Sequence, residues 1–128
     1  MGNNVIINCY NTGEIVLQTS TGANKYIGGL AGYFRDGYTS NSYNIGRVRT
    51  DYVGVAGIGG IIGREGPAVN NIFFLKGTVD KKSYPGEEVT DTKSKSEKML
   101  NFLNQGNDIW VRDTNNINSG YPILKRIN

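Results

Sequence analysis

The chain repeats itself, and no other feature constrains its fold as strongly. Asn8-Cys9-Tyr10-Asn11-Thr12-Gly13-Glu14-Ile15 returns as Asn41-Ser42-Tyr43-Asn44-Ile45-Gly46-Arg47-Val48. A degraded copy follows as Ile72-Phe73-Phe74-Leu75-Lys76-Gly77-Thr78-Val79, and Ile27-Gly28-Gly29-Leu30-Ala31-Gly32 is answered by Ile58-Gly59-Gly60-Ile61-Ile62-Gly63. Tyr10 and Tyr43 are 33 positions apart; Tyr43 to Phe74, Gly28 to Gly59 and Gly32 to Gly63 are each 31. Units of this size cannot bury a core alone and must stack on one another. The offsets predict neighbouring parallel strands with Gly28 beside Gly59 and Gly32 beside Gly63. They also predict one column of Tyr10, Tyr43 and Phe74, and a second of Cys9, Ser42 and Phe73.

With 128 residues the chain has one domain's worth of core. Its 18 glycines and 16 asparagines suit many tight turns, because both residue types enter the left-handed region cheaply. The net charge of +3 is spread along a chain of mixed sign. Residues 76–98 carry six lysines and five acids, a solvated surface and not a basic stripe, so nucleic acid is not an expected partner. A single cysteine, Cys9, excludes an internal disulfide and any multi-cysteine metal site. No apolar run approaches the roughly 20 residues that span a bilayer, so membrane insertion is not expected. Met1-Gly2 leads straight into the repeat without signal-peptide character, as in a segment cut from a longer parent.

Short β-branched and aromatic runs separated by Gly and Asn predict strands at residues 5–7, 15–17, 26–27 and 30–34 in the first unit. The second unit has them at 38–43, 47–55 and 58–62, and a third opens with 69–75 and 78–79. Asn11-Thr12-Gly13 and Asn44-Ile45-Gly46 read as turns with Gly supplying positive φ. The Gly-Gly pairs mark strands that another backbone or a bulky side chain approaches closely. Residues 81–93 read as a polar loop turning at Tyr84-Pro85-Gly86. Ser94-Lys95-Ser96-Glu97 has capping-box spacing, and Met99, Leu100, Phe102 and Leu103 follow at helical spacing before Gly106, which predicts one helix over 95–105. Two last strands follow, around Trp110 and Tyr121-Pro122-Ile123-Leu124, with Pro122 on an edge. The expected fold is mainly β: a parallel β-helix-like solenoid of about two and a half coils over 1–80, and a cap with one short helix over 81–128.

The alternation of Asn-x-Tyr-Asn-x-Gly-x-Val with Ile-Gly-Gly-Leu-x-Gly resembles the GLUG motif of large bacterial surface proteins, which include adhesins and the accessory regions of IgA-specific metallopeptidases. The match covers about residues 4–79. The helix with Met99-Leu100 and Phe102-Leu103-Asn104, then Trp110 and Ser119-Gly120-Tyr121-Pro122-Ile123-Leu124, is similar to the ends of such arrays. The third copy departs from the motif, with Phe74-Leu75 in place of Tyr-Asn. The resemblance implies a β-solenoid at the cell surface or in secretion, without catalytic residues to carry over.

Catalytic chemistry is poorly supplied. The chain has no histidine, which rules out Ser-His-Asp and Cys-His arrangements and imidazole zinc sites, including His-Glu-x-x-His. Cys9 aligns with Ser42 and Phe73, so a buried packing role is expected and not a nucleophile. The repeats offer Glu14, Asp36, Asp51, Glu65 and Asp80, and the tail offers Asp108 and Asp113. Of these, Asp36 and Glu65 are the only candidates for a paired-carboxylate hydrolase, because Phe34-Arg35-Asp36-Gly37 and Gly63-Arg64-Glu65-Gly66 follow equivalent strands with Arg35 set over Arg64. A surface Arg–acid ladder explains them as well. Asp113-Thr114-Asn115 has the start of a calcium loop, but Asn118 and Leu124 stand where an EF-hand needs Gly and Glu, so no metal is expected. Tyr10, Tyr26, Tyr33, Tyr38, Tyr43 and Tyr52 either form a platform for sugar rings or stack within the repeat.

These features predict a non-catalytic module of a bacterial surface or secreted protein, acting as stalk, spacer or adhesion element without a cofactor. Its expected partners are the rest of a parent chain and a surface glycan or protein. The first coil, with its edge open around residues 5–7, is expected to pair two chains into a homodimer. A carbohydrate-binding module using exposed Tyr and Asn is the alternative, and a polysaccharide-degrading enzyme the second alternative.

Overall fold

The computed structural model describes residues 4–18, 25–33, 35–52, 54–64, 68–79 and 85–126. The first unit runs through β1 (Asn4–Ile7), β2 (Tyr10–Asn11), β3 (Ile15–Leu17), β4 (Tyr26–Gly28) and β5 (Ala31–Tyr33). The second contains β6 (Gly37–Asn44), β7 (Val48–Thr50), β8 (Gly57–Gly59) and β9 (Ile62–Arg64). There follow β10 (Ala68–Leu75), β11 (Glu87–Val89), α1 (Asp91–Ser94), α2 (Glu97–Asn104), β12 (Trp110–Val111) and β13 (Ile123–Leu124). The protein is mainly β. No helix among the described residues is long and apolar enough to cross a membrane.

Every strand of the first unit lies parallel against its equivalent in the second. β1 and β2 pair with β6, β3 with β7, β4 with β8 and β5 with β9. Gly28 is the register partner of Gly59, and the pairs Ala31–Ile62 and Tyr33–Arg64 bracket Gly32 and Gly63, as the spacing predicts. The offset is 33 from β1 to β3 and falls to 31 at Tyr26–Gly57. The two lost residues come out of the connection before β8, so the register change is absorbed outside the strands. The largest sheet continues from β6 to β10 and on to β11, all in parallel.

The third repeat corrects the sequence reading by one position. Phe73, not Phe74, pairs with Tyr43; Phe74 pairs with Asn44, and Ile72 replaces Phe73 beside Ser42. The offset here is 30, because Arg64 to Ala68 is one residue shorter than its counterpart from Tyr33 to Tyr38. The left-handed positions carry the same phase: Asn8, Asn41 and Asn71 have φ of 54°, 50° and 54°. Asparagine tolerates this region better than other residues with a side chain, which accounts for its use here. Gly13 and Gly46, expected to supply positive φ, do not. Gly46 is needed for closeness instead, since a Cβ there would lie 2.0 Å from the Gly13 carbonyl oxygen of the neighbouring unit.

Two apolar clusters hold the molecule. Ile27, Val48, Ile61, Ile62, Ile72, Phe74 and Val79 fill the space between the repeat strands. Tyr43, Phe73, Val89, Met99, Leu103, Trp110 and Tyr121 join the sheet to the C-terminal segment. Residues 81–93, expected as a loop, contain β11 and α1 among their described part. Glu87-Glu88-Val89 has no strand pattern of its own and takes its conformation from pairing with Phe73–Leu75. The expected single helix is two. Thr90 caps α1, and Lys95 ends it. Ser96, not Ser94, caps α2, its Oγ accepting from the Met99 amide at 3.3 Å. Gln105 and Gly106 then take positive φ and stop α2. β12 and β13 pair antiparallel, Trp110 with Leu124, and Pro122 sits just before β13 where no ladder donor is needed. Phe34, Val53, Asp80 and Tyr84, placed in strands, acid candidates or turns by sequence, lie outside the described residues.

Candidate functional site

The described tyrosines of the repeats form a buried stack and a surface cluster, with Tyr38 and Tyr52 apart from both. Tyr43 has no exposed surface and stacks between Tyr10, 5.3 Å away between ring centres at 12°, and Phe73 at 4.9 Å and 6°. In-register parallel strands place identical positions about 4.8 Å apart, so a ring at every repeat stacks without distortion. Trp110 presses on Tyr10 at 5.8 Å and on Tyr43 at 5.5 Å. Burial, with the neighbouring Tyr10 adding to it, pushes the Tyr43 hydroxyl far above its ordinary pKa. That hydroxyl donates to the Pro122 carbonyl and accepts from the Asn118 side-chain amide at 2.7 Å. It thereby ties the C-terminal loop to the sheet.

The second setting is on the surface. Tyr26 and Tyr33 stack at 5.1 Å, and the Arg64 guanidinium lies over both, 5.6 Å and 5.1 Å from the ring centres. Arg64 Nη1 donates to the Tyr26 hydroxyl at 2.9 Å. This arrangement follows from register, since Arg64 is the partner of Tyr33 and not of Arg35. The expected Arg35–Arg64 stack is therefore absent. Tyr38 is exposed, and Tyr52 is half-buried. The six tyrosines do not make one platform: Tyr10 and Tyr38 border the β1–β6 sheet, whereas Tyr26 and Tyr33 belong to the β4–β8 and β5–β9 pairs.

The carboxylates are dispersed. Asp36 is exposed beside Arg35, Nε to Oδ2 4.0 Å, and Glu65 lies outside the described residues. Glu14 pairs with Arg49 across the repeat, Nε to Oε2 3.2 Å, and Asp108 pairs with Lys125. Asp113 instead organises a loop, accepting from the amides of Ile117 (2.8 Å), Asn118 (2.7 Å) and Gly120 (2.9 Å). Burial alone would raise its pKa, but the amides of Gly120, Asn118, Ile117 and Asn115 outweigh burial and hold it below the ordinary carboxylate value. Its oxygens are thus turned to backbone donors in the stretch with calcium-loop character. Among the described residues no three His, Cys, Asp or Glu side chains converge as a metal site.

No protein-family model, curated protein or solved structure matches the chain. The arrangement itself carries the functional reading.

Cys9 corrects another expectation. It is exposed, although its column partners Ser42 and Ile72 are buried. The buried packing role expected for it is therefore not met. Its thiol donates to the Ile7 carbonyl at 3.2 Å, and its amide donates to Ser42 Oγ at 3.0 Å.

Sequence reasoning missed three residues that do structural work. Asn44, fully buried, donates to the carbonyls of Gly46 (2.8 Å) and Gly60 (2.7 Å) and accepts from the Gly46 amide and Asn11 Nδ2, both at 2.9 Å. The shared Asn-x-Gly spacing of both repeats was the available signal. Asn104 holds β12 through the amides of Ile109 and Trp110 and the Trp110 carbonyl. Tyr121 donates to Asp91; burial, aided by that carboxylate, pushes its pKa up to about 12. Asn104 bonds residues only five and six positions on, whereas the Tyr121–Asp91 bond spans 30 residues and had no local pattern to reveal it.

Proposed function

We propose that the chain is a non-catalytic β-solenoid module of a bacterial cell-surface or secreted protein, serving as stalk, spacer or adhesion element. The observation that carries this reading is the in-register parallel pairing of each first-unit strand with its equivalent one repeat later, continued by β10. Such stacking turns chain length into rigid reach, and each coil contacts only its neighbours. The GLUG resemblance supports the surface setting. The dispersal of the described carboxylates gives no support to polysaccharide hydrolysis. Single-molecule pulling tests the reading: a coil of 31 residues releases about 10 nm of chain at ~3.4 Å per residue. Unfolding in coil-sized steps is the expected record. One all-or-none release of the whole chain would argue against independently stacked coils.

A second reading, carbohydrate binding, is favoured by Tyr33, which is 47% exposed and backed by Tyr26 and Arg64. A tyrosine face held flat by its neighbours can stack on a sugar ring. A glycan array comparing the native chain with Tyr33→Ala tests it; equal binding, or none to any glycan, removes it.

A further inference from the structure

We infer that the outer edge of the first coil is a docking face for one further coil of the same repeat class, carried in the same polypeptide. That coil would set an Asn over Asn11 and an aromatic ring over Tyr10. The inference rests on the coil reading given above.

Burial along the columns points to this face. Tyr10 is 36% exposed while Tyr43 and Phe73 are fully buried, and Cys9 is exposed while Ser42 and Ile72 are buried. Val5, Ile7 and Val16 are exposed on the same coil. At Tyr10 and Cys9 the first unit thus exposes positions whose equivalents form the interior one repeat later, whereas Val5, Ile7 and Val16 lie beside Tyr38, Ser40 and Arg49, which are not buried either. Edges left to solvent are normally guarded by charge, Pro or a bulge. The strands Asn-Val-Ile-Ile, Tyr-Asn, Ile-Val-Leu, Tyr-Ile-Gly and Ala-Gly-Tyr contain none of the charged residues or prolines that would block pairing. At the other end, β11 carries Glu87 and Glu88, and helices follow it.

The asparagine ladder specifies the occupant. Asn44 Oδ1 accepts from its own turn, at the Gly46 amide, and from Asn11 Nδ2 of the preceding coil. Asn11 Oδ1 accepts from the Gly13 amide at 3.2 Å in the same way, which leaves the position that a preceding Asn would fill. The backbone repeats the logic: the Tyr43 amide donates to the Cys9 carbonyl and the Ile45 amide to the Asn11 carbonyl. By repeat equivalence the amides of Tyr10 and Thr12 point to the outer edge. A second copy of the chain does not meet these demands. Two first-coil edges related by a two-fold axis meet antiparallel, whereas ladder and ring column require parallel strands in register.

The test places a copy of residues 4–36 directly ahead of Asn4. In this tandem chain the Tyr10 and Thr12 amides should exchange at least about tenfold more slowly than in the native chain, with the protein monomeric on a sizing column. A second tandem chain carries Tyr10→Ala and Asn11→Ala in the added copy only, and should lose most of that protection. Unchanged exchange in the first tandem chain overturns the proposal, as does equal protection in the second. Protection of both amides in the native chain when it runs as a dimer also overturns it, since the face would then serve a second copy. Backbone contacts between Gly28 and Gly59 in the native chain test the coil reading separately.

Discussion

At the scale of single residues, fully buried Asn44 makes four side-chain hydrogen bonds. Replacing it with alanine removes the acceptor of the Gly46 amide in a buried site. A buried group without a partner costs about 1–3 kcal/mol, so Asn44→Ala should destabilise by about that much in denaturant titration. Asn11→Ala, at the half-buried end of the ladder, should cost under half as much; equal losses would show that ladder position does not matter. Asp113 and Tyr121 each add a pH dependence to stability. The Asp113 pKa is depressed on folding, so its stabilisation is present above the unfolded carboxylate value and is lost as pH falls through the lowered one. The Tyr121 pKa is raised to about 12, so its stabilisation is complete below the unfolded value near 10 and is lost as pH rises from 10 to about 12. Stability measured against pH should therefore fall at both extremes, with the acid limb flattened in Asp113→Asn and the alkaline limb in Tyr121→Phe. An unchanged acid limb in Asp113→Asn would assign acid unfolding to other carboxylates.

Among the elements, the Tyr43 hydroxyl adds hydrogen bonds to the apolar packing that joins β6 to the C-terminal segment. Tyr43→Phe keeps the stacked ring but removes the bonds to Pro122 and Asn118, and should cost about 1–2 kcal/mol while leaving the β1–β6–β10 register intact. Faster amide exchange confined to 118–122, with β6 unchanged, is the expected signature; a change of register in β6 would show that the hydroxyl positions the strand itself. Ser96→Ala, which removes the acceptor for the Met99 amide, should cost about 1 kcal/mol. The repeat strands were legible because parallel stacking imposes period on sequence: Gly28 over Gly59 and Tyr10 over Tyr43 need no information beyond spacing. The third copy was misplaced by one because the shortening fell in the connection between Arg64 and Ala68, where only the left-handed Asn8–Asn41–Asn71 series kept phase. β11 was illegible, since Glu-Glu-Val becomes a strand only beside Phe73–Leu75. Of the surface cluster, the tyrosines were visible, but the placing of Arg64 on Tyr33 depends on register alone.

On the scale of the whole molecule, stability should be graded from one end to the other. The cluster of Tyr43, Phe73, Val89, Met99, Leu103, Trp110 and Tyr121 joins β6 and β10 to α2 and the C-terminal segment. Among the described residues the strands of the first unit pair only with those of the second, and Val5, Ile7, Tyr10 and Val16 are open to solvent. In a stack with nearest-neighbour coupling, the unit lacking a neighbour opens at the lowest free energy. Two equivalent amides allow a controlled comparison: Ile15 donates to the Arg47 carbonyl, and Val48, its register partner, donates to the Thr78 carbonyl. Both bonds are parallel cross-repeat bonds from a β-branched residue, so local chemistry is matched. Native-state exchange should find Ile15 released well before Val48, with β1 to β5 opening together and the C-terminal cluster last. Matched rates at the two amides would mean that the chain opens as one cooperative unit, and that the ends of the stack are coupled more tightly than contact between adjacent coils provides.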